Sequence, residues 1–381
     1  MRIALVIERM DTFGGGRERS VAEIATELSR RGHEVSVLCQ MGTLPESSVR
    51  VLPLGRVGLT RSAQMANFIR MVEAEIKSGR YDIVHATLPI PSANIYQPRG
   101  GTVVGQQAGK NRLSSPLGRT IRKITSPLNR TRALAMKIER QVVDNLDITC
   151  LAVSKVVAEE FSRYYNRHEN VRVIYNGVEV PRINQEQRIA NRKKWRKRWN
   201  ISDNGTIFLA VAYNFALKGI PETIKAFAEY KRTFPTQETK LVIVGRDDGR
   251  VYQRLVRKTN LDGMVIFESA VEDIFELYCA ADAVVLMSWQ DACSRVILEA
   301  IRMGLPAMTT QYNGAAELLT EGAGIVVPSP RDYKSIITGF EKLANQDARK
   351  RMIIACEEKA WFASNKRQVN ELENLYHDIV K

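Results

Sequence analysis

Short β-branched runs alternate along this chain with stretches of helical periodicity, and that rhythm limits the fold more than any other feature. The first series holds the runs RIALVIE, HEVSVLC, YDIVHATL, DITCLAVS and VRVIYNGV. Between them, SVAEIATELSRRG places Val21, Ile24, Ala25 and Leu28 on one helical face and stops at Gly32. A second series holds TIFLAVA, TKLVIVG, MVIFES, DAVVLMS, PAMTT and GIVVP, again with helical segments between them. Strands that alternate with helices lie parallel, because each crossover returns the chain to the same end of the sheet, and helices then cover both faces. Two such series predict an α/β architecture of two doubly wound, Rossmann-like domains facing a central cleft. Ligands in such sheets sit beyond the carboxyl ends of the strands.

The seam falls in VEVPRINQEQRIANRKKWRKRWNISDNG, residues 178–205, which is polar and basic between strands. The expected division is 1–180 for the first domain and 181–360 for the second. A length of 381 residues fits two or three domains at roughly 150 residues each. No run of about 18 apolar residues occurs, so no membrane span is expected. The opening MRIALVIERMDTFGGG passes from a short apolar run into a glycine turn without a cleavage pattern, which predicts a cytoplasmic location. The five cysteines form no CxxC pair and the four histidines are dispersed, so neither a metal site nor a disulfide framework is expected.

The net charge of +14 is unevenly spread. Residues 110–140 hold nine Lys and Arg against one acid, Glu139. Leu, Ile and Met are interleaved with these cations, as in a surface that rests on anionic lipid or binds a phosphorylated acceptor. The second run, RKKWRKRW at 192–199, reads as a solvated helix face in a connector. Neither run carries a helix-turn-helix, RRM or zinc signature, so nucleic acid is not an expected partner.

Three strand-to-helix junctions carry chemistry. Gly14-Gly15-Gly16 follows the first strand, where glycines permit close backbone approach and a helix start can hold an anion, or where they make only a tight turn. The spacing is not G-x-G-x-x-G and no acid ends the second strand, so a dinucleotide site is disfavoured. NFALKG, residues 214–219, puts Lys218 at a second junction, and Arg246 follows LVIVG as a similar strand-end cation. WQDACSRVILEAIRMGLP, residues 289–306, places Asp291 before a helix and Glu299 inside it, eight positions on. Asp291 suits either an N-cap or a ligand contact. Glu299 lies among Ile297, Leu298, Ala300 and Ile301, where a carboxylate needs a partner.

In this order, on two doubly wound halves, the three sites resemble the retaining family 4 glycosyltransferases of the GT-B fold. DACSRVILE falls on their E-x7-E motif, NFALKG on their phosphate-binding lysine motif, FGGGRE on their N-terminal glycine loop, and YDIVHATL on their D-I/V-V-H strand. WQDACSRVILEAIRMGLPAMTT is especially similar to the lipopolysaccharide-core glucosyltransferases among them. The resemblance implies a nucleotide-sugar donor, with a UDP-sugar foremost, and neither cofactor nor metal. It implies that Glu299 holds the ribose hydroxyls, that Asp291 holds the sugar, and that Lys218 neutralises the leaving diphosphate. Amides around Ala292, Cys293, Ser294 and Arg295 would serve the same donor, as would Asn214 and Arg246. Gly15 and Gly16 would admit the phosphates or the acceptor, with Arg17, His85 and Arg99 on the acceptor side. It also implies that residues 361–381 form a helix returning to the first domain.

Three departures stand out. The first acid is Asp instead of Glu. Ala216 and Leu217 stand where many relatives carry an arginine before the lysine. Arg99-Gly100 replaces the frequent His-Gly. The expected activity is hexosyl transfer to a cell-envelope glycan or lipid-linked acceptor. The alternatives are a catalytically weakened homologue that binds glycans, and another GT-B enzyme such as a nucleotide-sugar epimerase.

Overall fold

The computed structural model describes residues 1–11, 15–44, 48–114 and 129–381. Gly14 and residues 115–128 of the basic stretch lie outside the described residues. The chain divides into two units, Met1–Val178 with Asn365–Lys381, and Glu179–Ser364.

In the first unit, strands β1 (Arg2–Val6), β2 (Arg9–Met10), β3 (Glu34–Cys39), β4 (Met41–Gly42), β5 (Arg50–Pro53), β6 (Ile83–Ala86), β7 (Ile95–Tyr96), β8 (Thr149–Ala152) and β9 (Val171–Val173) alternate with helices. The helices are α1 (Gly16–Arg30), α2 (Arg61–Ile76), α3 (Val103–Leu113), α4 (Arg130–Asp144) and α5 (Lys155–Tyr165). Seven strands make a sheet in the order β5-β3-β1-β6-β7-β8-β9, and every pairing is parallel. Because both faces are covered, its central strands read as continuous apolar runs; in β6, IVHA, every residue is buried.

The second unit contains α6 (Gln185–Arg198), β10 (Thr206–Val211), α7 (Ile220–Thr233), β11 (Thr239–Gly245), α8 (Arg250–Lys258), β12 (Val265–Ser269) and α9 (Ile274–Ala280). These are followed by β13 (Ala283–Leu286), α10 (Arg295–Arg302), β14 (Ala307–Thr310), a 3-10 turn at Gly314–Leu318, β15 (Gly324–Val327), α11 (Tyr333–Ala344) and α12 (Gln346–Lys359). The parallel sheet runs β12-β11-β10-β13-β14-β15. Phe208, Phe227, Tyr230 and Phe340 form an aromatic cluster in its core.

The basic run 192–199 is only in part the solvated face its sequence suggests: Lys193, Lys194, Lys197 and Arg198 are exposed. It belongs to α6, with Trp195 and Trp199 buried. Arg192 and Arg196 pair with Asp282 at 2.9 and 3.0 Å, Lys194 with Glu276 at 2.7 Å, and Arg198 with Glu268 at 3.1 Å. Charges that look like a polyanion patch are instead used to dock this helix.

Helix α13 (Asn365–Val380) packs in the first unit, with Val369, Leu372 and Tyr376 in the cluster that holds Ile3, Leu5, Val21 and Leu28. Glu373 receives Arg31 at 2.5 Å and His33 at 2.8 Å, and the Gln368 side-chain oxygen accepts from the Gly177 amide at 2.8 Å.

Candidate active site

In the second unit the strand order reverses between neighbours β10 and β13. Chains leaving two such strands part toward opposite faces of the sheet, and a crevice opens at their carboxyl ends. The loop after β10 carries Lys218, and the loop after β13 carries Asp291.

Local chemistry fixes the first loop. The Asn214 side-chain oxygen accepts from the Leu217 amide at 2.9 Å, and its carbonyl accepts from the Lys218 amide at 2.9 Å. Asn214 therefore shapes the turn that presents the lysine. Asp247 accepts from the Phe215 amide at 2.7 Å, which ties in the loop after β11, where Arg246 is exposed. Gly219 has φ 66°, and a Cβ there would lie 1.9 Å from the Met287 carbonyl oxygen. Only glycine allows that conformation and that approach. The Trp289 amide closes the two loops onto each other, donating to the Leu217 carbonyl at 2.9 Å.

Lys218 Nζ and Asp291 Oδ2 form an ion pair, with side-chain exposures of 20% and 15%, so both are shielded yet reachable by solvent. The Asp291 backbone is bolted to the neighbouring loop: its amide donates to the Tyr312 carbonyl and its carbonyl accepts from the Gly314 amide, both at 2.9 Å. Asp291 is not the helix cap. That position is Ser294, whose side chain makes no cap bond. Nor is the Ser294 amide left open for a ligand, because it donates to Asn313 Oδ1 at 3.2 Å. Asn313 is buried; it also accepts from the Ala315 amide at 3.1 Å and donates to Thr309 Oγ1 at 3.0 Å. Ala292 and Cys293 are buried beside it in sequence.

Glu299 is 5% exposed, which makes it the buried acid of this site. The buried Tyr278 of α9 donates its hydroxyl to Glu299 Oε2 at 2.9 Å, and the Arg295 guanidinium stands 3.5 Å from Oε1. A carboxylate taken from water needs such partners. Neither Tyr278 nor Asn313 was marked by the sequence motifs. Each comes from a neighbouring element, and only the strand order reveals it.

In the first unit, Gly15 is the N-cap of α1 with extended backbone, Gly16 begins the helix, and Arg17 is exposed in its first turn. Two residues expected on the acceptor side are core groups instead. His85 is buried, with Nδ1 2.7 Å from the Tyr376 hydroxyl and Nε2 3.2 Å from Gln97 Oε1. Burial, with the Arg99 charge nearby, pushes its pKa down to about 3, so it is a neutral packing residue. Arg99 is buried and donates to Gln97 Oε1 and Asn176 Oδ1, both at 2.7 Å, and to Ser20 Oγ of α1. It joins the ends of separate elements instead of facing solvent.

These features match known sequences and folds. The glycosyl transferases group 1 family covers residues 191–359, and glycosyltransferase family 4 covers 14–182. Lipopolysaccharide glucosyltransferase WaaG of Escherichia coli (strain K12) is 25% identical over 386 residues, spanning 99% of this chain and 96% of that protein. The crystal structure of WaaG, a glycosyltransferase involved in lipopolysaccharide biosynthesis, superposes with a TM-score of 0.78 at 22% identity over 99% of each chain. Anabaena Alr3699/HepE, solved in complex with UDP and glucose, has a TM-score of 0.72 at 16% identity over 99% of each chain. With two Rossmann-like units, a reachable lysine–aspartate pair at a switch point, and family matches over both units, the chain belongs to the group 1, family 4 glycosyltransferases of the GT-B fold.

Proposed function

We propose that this glycosyltransferase moves a hexose, glucose foremost, from a UDP-sugar to a cell-envelope glycan or lipid-linked acceptor such as lipopolysaccharide core, with retention and without a metal. The observation that carries the reading is the Lys218–Asp291 pair at the switch point, with Glu299 on the helix that follows. The names of WaaG and the ligands of HepE support glucose, UDP and an envelope acceptor. The cations of residues 110–140 support peripheral contact with anionic membrane at the cytoplasmic face.

In the free site each charge of the pair neutralises the other. A bound diphosphate offers Lys218 a more highly charged partner, and its departure frees Asp291 for sugar hydroxyls. Glu299, steadied by Tyr278, accepts from the ribose hydroxyls. As the bond from C1 to the phosphate oxygen breaks, charge grows on the leaving diphosphate. A cation fixed there stabilises the transition state more than the ground state. The acceptor oxygen bonds to C1 on the same face, and its proton passes to the departing phosphate oxygen. No side-chain nucleophile is needed.

Thermal-shift measurement against UDP-glucose, UDP-galactose, ADP-glucose and GDP-mannose tests the donor. Ligand at about 100 times its Kd stabilises by roughly 2.7 kcal/mol, and a panel that shifts nothing overturns the donor-site assignment. NMR of the product anomer tests retention. If no donor is consumed, even by slow hydrolysis, the enzyme reading fails and the glycan-binder reading stands; if product analysis without acceptor finds an epimerised sugar instead of hydrolysed donor, the protein is an epimerase.

A further inference from the structure

Among residues 48–72 there are four cations, Arg50, Arg56, Arg61 and Arg70, and no acid. At the centre of this stretch the loop before α2 turns its apolar side chains outward. Leu59 is 103% exposed and Val57 54%. An exposed leucine on a slack loop would mean little, but this loop has a built shape. Gln64 Nε2 donates to the Gly58 carbonyl at 2.8 Å, Asn67 Nδ2 to the Val57 carbonyl at 2.9 Å, and Arg56 Nε to Gln64 Oε1 at 2.8 Å. Thr60 caps α2 through the Ala63 amide at 3.2 Å. Gly58 has φ 126°, and a Cβ there would lie 2.9 Å from that of Ala63. Four polar contacts and a required glycine thus hold two apolar side chains in water, with exposed Arg56 and Arg61 at either end. The pair forms an exposed apolar tip bounded by cations.

The surroundings indicate what such a tip fits. Helix α4 is α2's neighbour, since its Ile138 joins the cluster containing Met65, Phe68 and Met71 of α2. On α4, Met136 is 40% exposed, and Lys137 and Arg130 are exposed too. Apolar tips among unopposed cations complement a surface that is anionic outside and apolar a few ångströms in.

We propose that Arg56–Arg61 is a wedge that seats on an anionic lipid bilayer, with Val57 and Leu59 entering the headgroup–acyl boundary and Arg56 and Arg61 meeting lipid phosphates. It deepens the reading of a lipid-linked acceptor and adds a structured contact to the 110–140 stretch. The test is co-sedimentation of the full chain with phosphatidylethanolamine–phosphatidylglycerol vesicles, and with phosphatidylcholine vesicles as the uncharged comparison. The wild type is expected to bind only the anionic vesicles. Leu59→Asp should lower the partition coefficient about tenfold or more, and Arg61→Glu about fivefold. The melting temperature and the UDP-induced thermal shift should not change in either variant. Leu59→Ser, which adds no charge, should fall between Leu59→Asp and the wild type. Equal binding of Leu59→Asp and wild type, or no vesicle binding by the wild type, overturns the wedge. So does a Leu59→Asp variant that turns a dimer into a monomer while still binding vesicles, since a second copy then covers the loop. Transfer to a water-soluble glycan separates the two readings. If transfer persists without vesicle binding, the wedge falls and the transferase stands. If vesicle binding depends on Leu59 but no transfer occurs, the reverse holds.

Discussion

Lys218 and Asp291 form an ion pair, and in the proposed mechanism the donor separates them, so each is expected to be needed for a different part of it. Lys218→Ala removes the cation from the leaving group, and kcat is expected to fall roughly 10²–10³-fold in a donor-consumption assay. Tyr278→Phe deletes one buried hydroxyl and leaves Glu299 short of its donor. UDP affinity measured by calorimetry should then fall about tenfold, with kcat changed less. The same measurement on Glu299→Gln and on the double variant should be non-additive, because the two groups form one unit. Lys218, Asp291 and Glu299 stand out in the sequence as candidates because the pattern is local: two strand-to-helix junctions, and the helix that follows the second. Tyr278 and Asn313 do not, because they reach the site from elements placed by the sheet order. The sequence does not show that His85 is a core group for a related reason: in a parallel strand buried on both faces, no alternation tells an outward side chain from an inward one.

Among the elements, the turn into α7 has the narrowest tolerance. Gly219→Ala must adopt positive φ and clear the Met287 carbonyl, so it should destabilise by more than about 1 kcal/mol in urea unfolding and disturb the adjacent lysine. The start of α3 is held by a half-buried acid. Glu160 accepts from the Thr102 amide at 2.8 Å and its hydroxyl at 3.0 Å, and burial pushes the carboxyl from 4.5 up to about 7. A raised folded pKa means stability that is full below 4.5 and is lost as pH climbs through about 7. His85 runs the other way. Its folded pKa lies near 3 against 6.5 for the free group, so its stabilisation is present above 6.5 and is lost as pH falls toward 3. Between 4.5 and 6.5 the two slopes oppose each other. Glu160→Gln should unmask the histidine, so that melts over this range lose stability more steeply on acidification than the wild type does. The six strands of the second sheet and five of the seven in the first are legible from periodicity, whereas β5 and β7, four and two residues long, are too short to show a pattern. The docking of α6 is not legible, because a run of cations reads the same whether solvent or Asp282, Glu276 and Glu268 meets it.

At the scale of the molecule, the second unit is continuous in the chain and the first is not. Residues 179–364 made alone should fold cooperatively, whereas a chain cut after Ser364 should leave the first unit with an open apolar face. Circular dichroism and limited proteolysis of the cut chain should find the second unit intact and the first digested. The missing piece is α13, whose Val369, Leu372 and Tyr376 complete the core around β1 and α1. This has a consequence for synthesis. A ribosome finishes the first 178 residues and then makes the whole second unit before residue 365 appears, a wait of roughly 10–40 s at ordinary elongation rates. Through that interval the hydrophobic surface that receives α13 has no covering helix on the nascent chain, so its exposure is a matter of synthesis rate as well as of sequence.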